Sequence, residues 1–149
     1  MGESMTRVEH ITDIINDIMT EAGLNVLTQY DEDSMVAVNN TAYTFVVSEN
    51  EGTMFEDSRT FQMTTLLMTY IDFKIDDFAN NYTDLRNALI QQVEDARVTA
   101  DLTLHQNIDH FTLDSQVPII RNIAGVFDTV NRKGVIDILW EIKTISIPL

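Results

Sequence analysis

The chain has 149 residues, no cysteine, and 24 acidic against 9 basic side chains, which gives a formal net charge of −15. Proteins that bind nucleic acid neutralise phosphates with Lys and Arg, so this charge argues against sequence-specific binding of DNA or RNA and against docking on anionic lipid. Without cysteine there is no disulfide framework, no thiolate catalysis and no cysteine-ligated metal. The hydrophobic content of 44% is too high for a disordered chain, and no linker or repeat divides the sequence, so we expect one folded domain over residues 1–149.

Membrane and secretion signals are not expected. No stretch of about 18 apolar residues occurs, and the start of the sequence lacks a basic region followed by an apolar run. Gly2 and Thr6 match the N-myristoylation pattern, but Glu3 and the acidic region behind it would oppose membrane docking.

The first predicted element is an amphipathic helix over residues 6–22. Thr6 followed by Glu9 is a capping-box start, and Gly23 suits the left-handed position that ends many helices. His10 borders the apolar face, where we expect a structural role. The apolar residues, spaced by three and four, are Val8, Ile11, Ile14, Ile15, Ile18, Met19 and Ala22.

Strand patterns follow this helix. We predict a short strand over 26–30, an acidic turn over 31–34 and a strand-rich stretch over 35–47. Residues 48–58 are polar and predict an exposed loop. Residues 61–75 alternate apolar and polar side chains, which predicts one strand long enough to bend at a bulge or extend beyond the domain.

The second half contains a helix and further strands. A helical spacing of apolar residues predicts a helix over 83–100. Residues 117–130 fit a helix opened by Pro118, but their Val and Ile content favours a strand. A final strand begins near residue 134, and a change of phase at 143–144 predicts a bulge or an exit from the sheet.

This order of elements predicts the fold class. Helix, strands, helix and strands are typical of an α+β domain. We expect two helices packed on one face of a mainly antiparallel β-sheet, with a long acidic loop extending from it.

No motif for catalysis or cofactor binding is present. The sequence has no G-x-G-x-x-G, Walker loop or G-x-S-x-G elbow. His105 and His110, close to Asp101 and Asp109, lack the spacing that places two metal ligands on one helix face, and we interpret them as solvated. The acidic turn 31–33 lacks the glycine and the distal glutamate of a calcium loop. We therefore expect no enzyme activity, no metal and no cofactor.

One charged feature is distinctive. Glu9, Asp13, Asp17 and Glu21 recur every four residues opposite the apolar face of the first helix, and we call these four residues the acidic ridge. Like charges at this spacing destabilise a helix by about 0.2–0.5 kcal/mol per pair. No Lys or Arg occurs in residues 8–58. The simplest interpretation is a solvated face. The functional alternatives are a surface that orients a basic partner, or the lining of a passage that DNA crosses without binding.

The element order resembles that of the tail terminator, or tail completion, proteins of tailed bacteriophages. The likeness consists of the amphipathic first helix, the acidic segment leading into a strand from Arg59 to Ile75, the helix from Thr83 to Ala100 and the closing strand over 134–142. The resemblance implies a structural virion protein that forms a homo-hexameric ring at the head-proximal end of the tail tube. Such a ring stops polymerisation of the tube and joins it to the neck. It would be assembled in the host cytoplasm, contact tube and neck proteins, and let DNA pass through.

The resemblance also implies roles for two regions. The acidic ridge would face the lumen or a partner, and the loop over 48–58 would reach a neighbouring subunit. The candidate inter-subunit residues are Glu49, Glu51, Met54, Phe55, Glu56 and Asp57. A function of another class stays open: a small acidic adaptor or inhibitor whose ridge recognises a basic protein.

Overall fold

A computed structural model of the chain describes residues 6–31, 40–54, 59–76, 81–103, 107–108 and 111–148. The helices are α1 (Arg7–Glu21) and α2 (Tyr82–Val98). The strands are β1 (Asn25–Leu27), β2 (Thr41–Met54), β3 (Phe61–Lys74), β4 (Asn107–Ile108), β5 (Phe111–Ser115), β6 (Ile119–Asp128) and β7 (Lys133–Pro148). This confirms the predicted α+β class.

All seven strands belong to one sheet with the order β1-β2-β3-β7-β5-β4, and β6 also pairs with β7. Among the described strands, β1 and β2 run parallel and every other pair is antiparallel. β5 and β6 lie end to end along β7, where they pair with residues 144–148 and 133–141 respectively. Between them lies Pro118, which lacks the N–H that would continue the hydrogen-bond ladder.

Strands β3 and β7 form the centre of the sheet. In each of these two strands, every second side chain points towards the helices. Leu67 pairs with Trp140 and Ile71 with Ile136, and all four are fully buried. Both helices pack on this face, so removal of apolar area from water there is the main stabilising contribution. The helical part of the core consists of Ile11, Ile14, Ile15, Ile18, Met19, Leu89, Val93 and Ala96.

The ends of α1 follow the sequence signals. The Thr6 hydroxyl accepts a hydrogen bond from the Glu9 backbone N–H at 3.2 Å, as an N-cap does. Gly23 adopts φ +88° directly after the C-cap residue Ala22, a left-handed conformation that glycine adopts without strain. His10 is fully buried and its Nε2 lies 3.2 Å from the Ser115 hydroxyl, which places it in a structural position.

Two predictions about strand ends were wrong. The loop predicted over 48–58 is strand as far as Met54, with its remaining residues outside the described part of the chain. The bulge predicted at 143–144 is also wrong, because β7 pairs with β3 without a register shift. The phase change arises because polar Thr144 and Ser146 occupy buried positions, where Arg7 donates to the Ser146 hydroxyl at 3.3 Å.

Other strand predictions had mixed outcomes. The strand interpretation of 117–130 is confirmed by β6, and the long strand over 61–75 by β3. The register shifts lie in β2, at Val46/Ser48 and Glu51/Met54, rather than in β3. β4 and β5 were not predicted, and much of the stretch predicted over 35–47 lies outside the described residues. Neither described helix is long and apolar enough to cross a membrane.

Candidate interaction surfaces

The acidic ridge lies on the solvent side of α1, as the sequence predicted. Glu9, Asp17 and Glu21 are exposed and Asp13 is half-buried. Within the described ranges, no Lys or Arg is within ion-pair distance of Glu9, Asp17 or Glu21. These three carboxylates are therefore not neutralised by the fold.

The C-terminal half of the ridge borders a groove of about 330 Å³ between α1 and α2. Asp17 and Glu21 form one wall, and Asp101, just after α2, lies on the other. Hydrogen bonds from the Thr103 hydroxyl and backbone N–H lower the pKa of Asp101 and hold it ionised. The apolar lining residues of the groove are Ile14, Ile18, Ala96 and Ala100. The groove therefore brings Asp17 and Glu21 of the acidic ridge near Asp101, a residue that the sequence analysis considered only together with His105 and His110.

No group of three or more His, Asp or Glu is placed to hold a metal ion in the ranges that the structure describes. His105, His110 and Asp109 lie outside those ranges. The lining of the groove contains no histidine, and the hydroxyl of its Thr99 is within hydrogen-bond distance of the backbone carbonyls of Asp95 and Ala96.

One edge of the sheet is formed by β2. The short strand β1 covers only its first three residues, 41–43. From Thr44 to Met54, no described strand pairs with β2 on this side, and we call this stretch the free part of β2. Glu49 and Glu51 are exposed along it. Of the other candidate inter-subunit residues, Phe55, Glu56 and Asp57 lie outside the described residues.

The opposite edge is formed by β6. It pairs with β7 on one side, and none of the described strands pairs with it on the other. Two apolar side chains stand exposed here, Ile119 at 46% and Val126 at 60%. Arg121 is 57% exposed and lies 3.7 Å from Glu141. This edge was not identified from the sequence, because strand periodicity says nothing about which strand lies outermost.

The sheet face opposite the helices, which we call the open face, carries a row of aromatic rings near β2. Ring centroids are 5.6 Å apart for Tyr30 and Tyr43, 5.9 Å for Tyr43 and Phe45, and 5.2 Å for Phe45 and Tyr70. Spacings in this range are favourable for aromatic pairs. The row stiffens this side of the sheet next to the free edge of β2.

A charged cluster occupies the open face near the start of β7. Lys133 donates to a carboxylate oxygen of Asp72 at 2.8 Å. Burial raises the pKa of Asp137, and the neighbouring negative charge of Asp72 raises it further. The Lys133 ammonium is paired with Asp72, so Asp137 has lost hydration without an equivalent ion-pair partner among the described residues.

Comparison with known proteins gives a limited result. No family model matches the chain, and no curated protein matches it. Among solved structures, a chain described as "Virion of native gene transfer agent (GTA) particle" is similar, with 11% sequence identity and a TM-score of 0.48. The match covers 87% of this chain and 84% of that chain. A likeness of this size assigns no function to this protein.

Proposed function

We propose that this chain is a structural, non-enzymatic virion protein of a tailed phage or phage-like particle. In this proposal it is a tail terminator that forms a ring of six copies at the head-proximal end of the tail tube and joins the tube to the neck. The observation that carries the proposal is the acidic ridge, whose exposed residues Glu9, Asp17 and Glu21 have no cationic partner within the described part of the chain.

An unneutralised ridge is consistent with a passage for DNA. Phosphates approaching Asp17 and Glu21 meet charge of their own sign, which keeps the duplex from adhering. The screening length is about 8 Å at physiological ionic strength, so the repulsion acts only on DNA that passes close to the wall. A narrow channel through a ring provides that proximity, whereas a freely diffusing monomer does not.

The ring itself is tested with the purified chain. We expect light scattering to give a mass of several copies, and negative-stain images to show closed rings with one copy number. Measurements at low and high salt separate rings from charge-driven aggregates. A chain that stays monomeric at every concentration and salt, and also when mixed with its isolated tail tubes, contradicts the proposal.

The role of the ridge is tested by reversing its charge. We expect rings of the variant with Asp17→Lys and Glu21→Lys to retain duplex DNA in a mobility-shift measurement, whereas wild-type rings do not. Asp84→Lys together with Asp114→Lys, at exposed positions on α2 and β5 that are not part of the ridge, changes the net charge equally and is the matched control. Equal DNA retention by both variants would show that net charge, and not the ridge, excludes DNA.

A second candidate function is an acidic adaptor that binds a basic protein. The groove between α1 and α2 favours it, since its walls carry Asp17, Glu21 and Asp101 above an apolar lining. An amphipathic basic segment would match both features. Saturable binding of a polybasic peptide by a monomeric chain, lost in Asp17→Lys with Glu21→Lys, would favour the adaptor over the terminator.

A further inference from the structure

Two edges of the sheet have no partner strand among the described residues, and they are similar in length and lie on opposite sides. β6 offers Ile119–Asp128, and β2 offers residues 44–54 beyond its short pairing with β1. An unpaired strand edge is a row of N–H and C=O groups that can accept another strand. Within the described ranges, neither edge shows the inserted proline that often blocks such pairing.

The directions of the strands make these edges compatible. β2 is antiparallel to β3, β3 to β7, and β7 to β6, so β6 runs opposite to β2. Rotation about an axis close to the strand direction, as in a ring, does not reverse that direction. β6 of one copy therefore meets β2 of the next in the antiparallel orientation that dominates the sheet.

Apolar side chains are exposed on both edges. Val126 on β6 and Val47 on β2 are 60% and 51% exposed in the single chain. Pairing of the two edges would cover both side chains and remove apolar area from water. Pairing of β6 with a second β6 would leave the edge of β2 uncovered.

From these observations we infer that copies of this chain join by strand addition, in which β6 of one copy pairs antiparallel with the free part of β2 of the next. The contact is heterologous, so its repetition by a rotation that closes forms a ring and merges the sheets into one barrel. The inference rests on the proposed ring and names the surface that builds it.

The sheet registers indicate a stagger between copies. Thr44 is level with Ile123, through the successive pairs Thr44 with Thr69, Thr69 with Ile138, and Ile138 with Ile123. From that level, the free part of β2 continues towards the C-terminal end of β2. Half of β6 lies on the opposite side of that level along the strand direction. Full overlap therefore requires each copy to slide along the strands relative to its neighbour, which is the shear that closure of a barrel requires.

Cysteine cross-linking tests this contact directly, because the natural chain contains no cysteine. Asn122→Cys places a thiol on the open face of β6, opposite Leu139. Ser48→Cys and Asn50→Cys place thiols on the open face of β2 at two different levels. Each of the two β2 variants is mixed with the β6 variant under mild oxidation.

We expect a disulfide-linked dimer between the β6 variant and at least one of the two β2 variants, with none when Asn122→Cys is mixed with Thr83→Cys on the exposed start of α2. In the matching double variant the cross-links should form a ladder that ends at the copy number of the ring. Self-linkage of Asn122→Cys alone, at the yield of the mixture, would overturn the inference in favour of a β6–β6 dimer.

Lysine substitution at the two edges gives an independent readout, because a charge on an edge strand opposes pairing with another strand. We expect Val126→Lys on β6 and Val47→Lys on β2 each to lose the ring mass in light scattering. Val98→Lys, at the last residue of α2, where the side chain is 58% exposed, is the matched control. If wild-type rings form but no cross-links appear and neither edge variant affects the rings, the strand pairing is wrong and the proposed function stands. If no rings form at all, both fail.

Discussion

Individual carboxylates of the acidic ridge differ in their cost to the fold. Glu9 lies in the first turn of α1, where the positive end of the helix dipole stabilises an anion. Glu21 is the last residue of α1, where the dipole is unfavourable and Asp17 lies one turn away. The four residues look equivalent in sequence, but the helix ends make them unequal.

We therefore expect Glu21→Gln to raise the free energy of unfolding by about 0.3–1 kcal/mol at low salt, through relief of the dipole and of one like-charge pair. Glu9→Gln is the matched control, and we expect it to give no gain or a small loss. Urea denaturation of both variants measures the difference. Equal stabilisation by the two would mean that ridge repulsion outweighs the dipole.

The titration of Asp137 predicts the direction in which the stability of the fold changes with pH. Burial and the nearby Asp72 raise its pKa in the folded state, so its charged form is disfavoured by folding. A carboxyl with a raised folded pKa contributes stability when protonated, and that contribution is lost as the pH rises through the folded pKa.

Asp137→Asn removes this titration. We expect the variant to be more stable than wild type at neutral pH, and the difference to shrink as the pH falls into the range just above the ordinary pKa of an aspartate. Thermal melts of both proteins across that range give the measurement. Asp114→Asn, at an exposed position on β5, is the control for the loss of one negative charge. A gain that grows on acidification would contradict the assignment.

At the level of elements, three strands are joined by a buried polar chain. The Trp140 indole N–H donates to the Thr69 hydroxyl at 2.9 Å, and that hydroxyl lies 2.7 Å from the hydroxyl of Thr44. The residues belong to β7, β3 and β2 in turn. Because a buried donor without an acceptor is costly, the chain fixes the relative positions of these strands.

Thr69→Val leaves the buried Trp140 N–H without its acceptor, and we expect it to lower the free energy of unfolding by about 1–3 kcal/mol. Thr44→Val keeps that acceptor and should cost less. The shift of the urea unfolding midpoint measures the cost of each substitution. The comparison requires that the free energy of unfolding falls with urea concentration at the same slope in each variant as in wild type. Similar costs for the two variants would show that the Trp140 hydrogen bond contributes no more than the hydroxyl pair.

The elements also show where pattern reading succeeds. The helix over 6–22 and the strand over 61–75 were predictable because one face of each is buried, which imposes a period on the sequence. The distal half of β2 has the polar pattern of a loop, because Glu49 and Glu51 lie on an outer strand with little to bury. Edge strands lose the apolar half of the alternation, so a local pattern does not mark them.

For the whole molecule, the net charge of −15 acts against compactness. The described ion pairs neutralise only a few carboxylates, including Glu94 through its hydrogen bonds with Arg97. Repulsion among the remainder is long-ranged and is therefore screened by added salt.

We expect the melting temperature of the monomer to rise as sodium chloride is raised from low to moderate concentration. The Val126→Lys variant supplies monomer for the measurement, so that ring formation does not obscure the effect. Replacing chloride with another monovalent anion controls for specific ion binding. A melting temperature that falls with salt would mean that attractive pairs dominate the electrostatics.

By itself, the sequence determined the α+β class, the two helices, the central strands and the acidic ridge, because these depend on periodicities and charges within short stretches. Only the tertiary structure decided that Asp17 and Glu21 share a groove with Asp101, and that β2 and β6 are the strands with free edges. Those facts depend on pairing between residues far apart in the chain, and local patterns do not encode which strands pair.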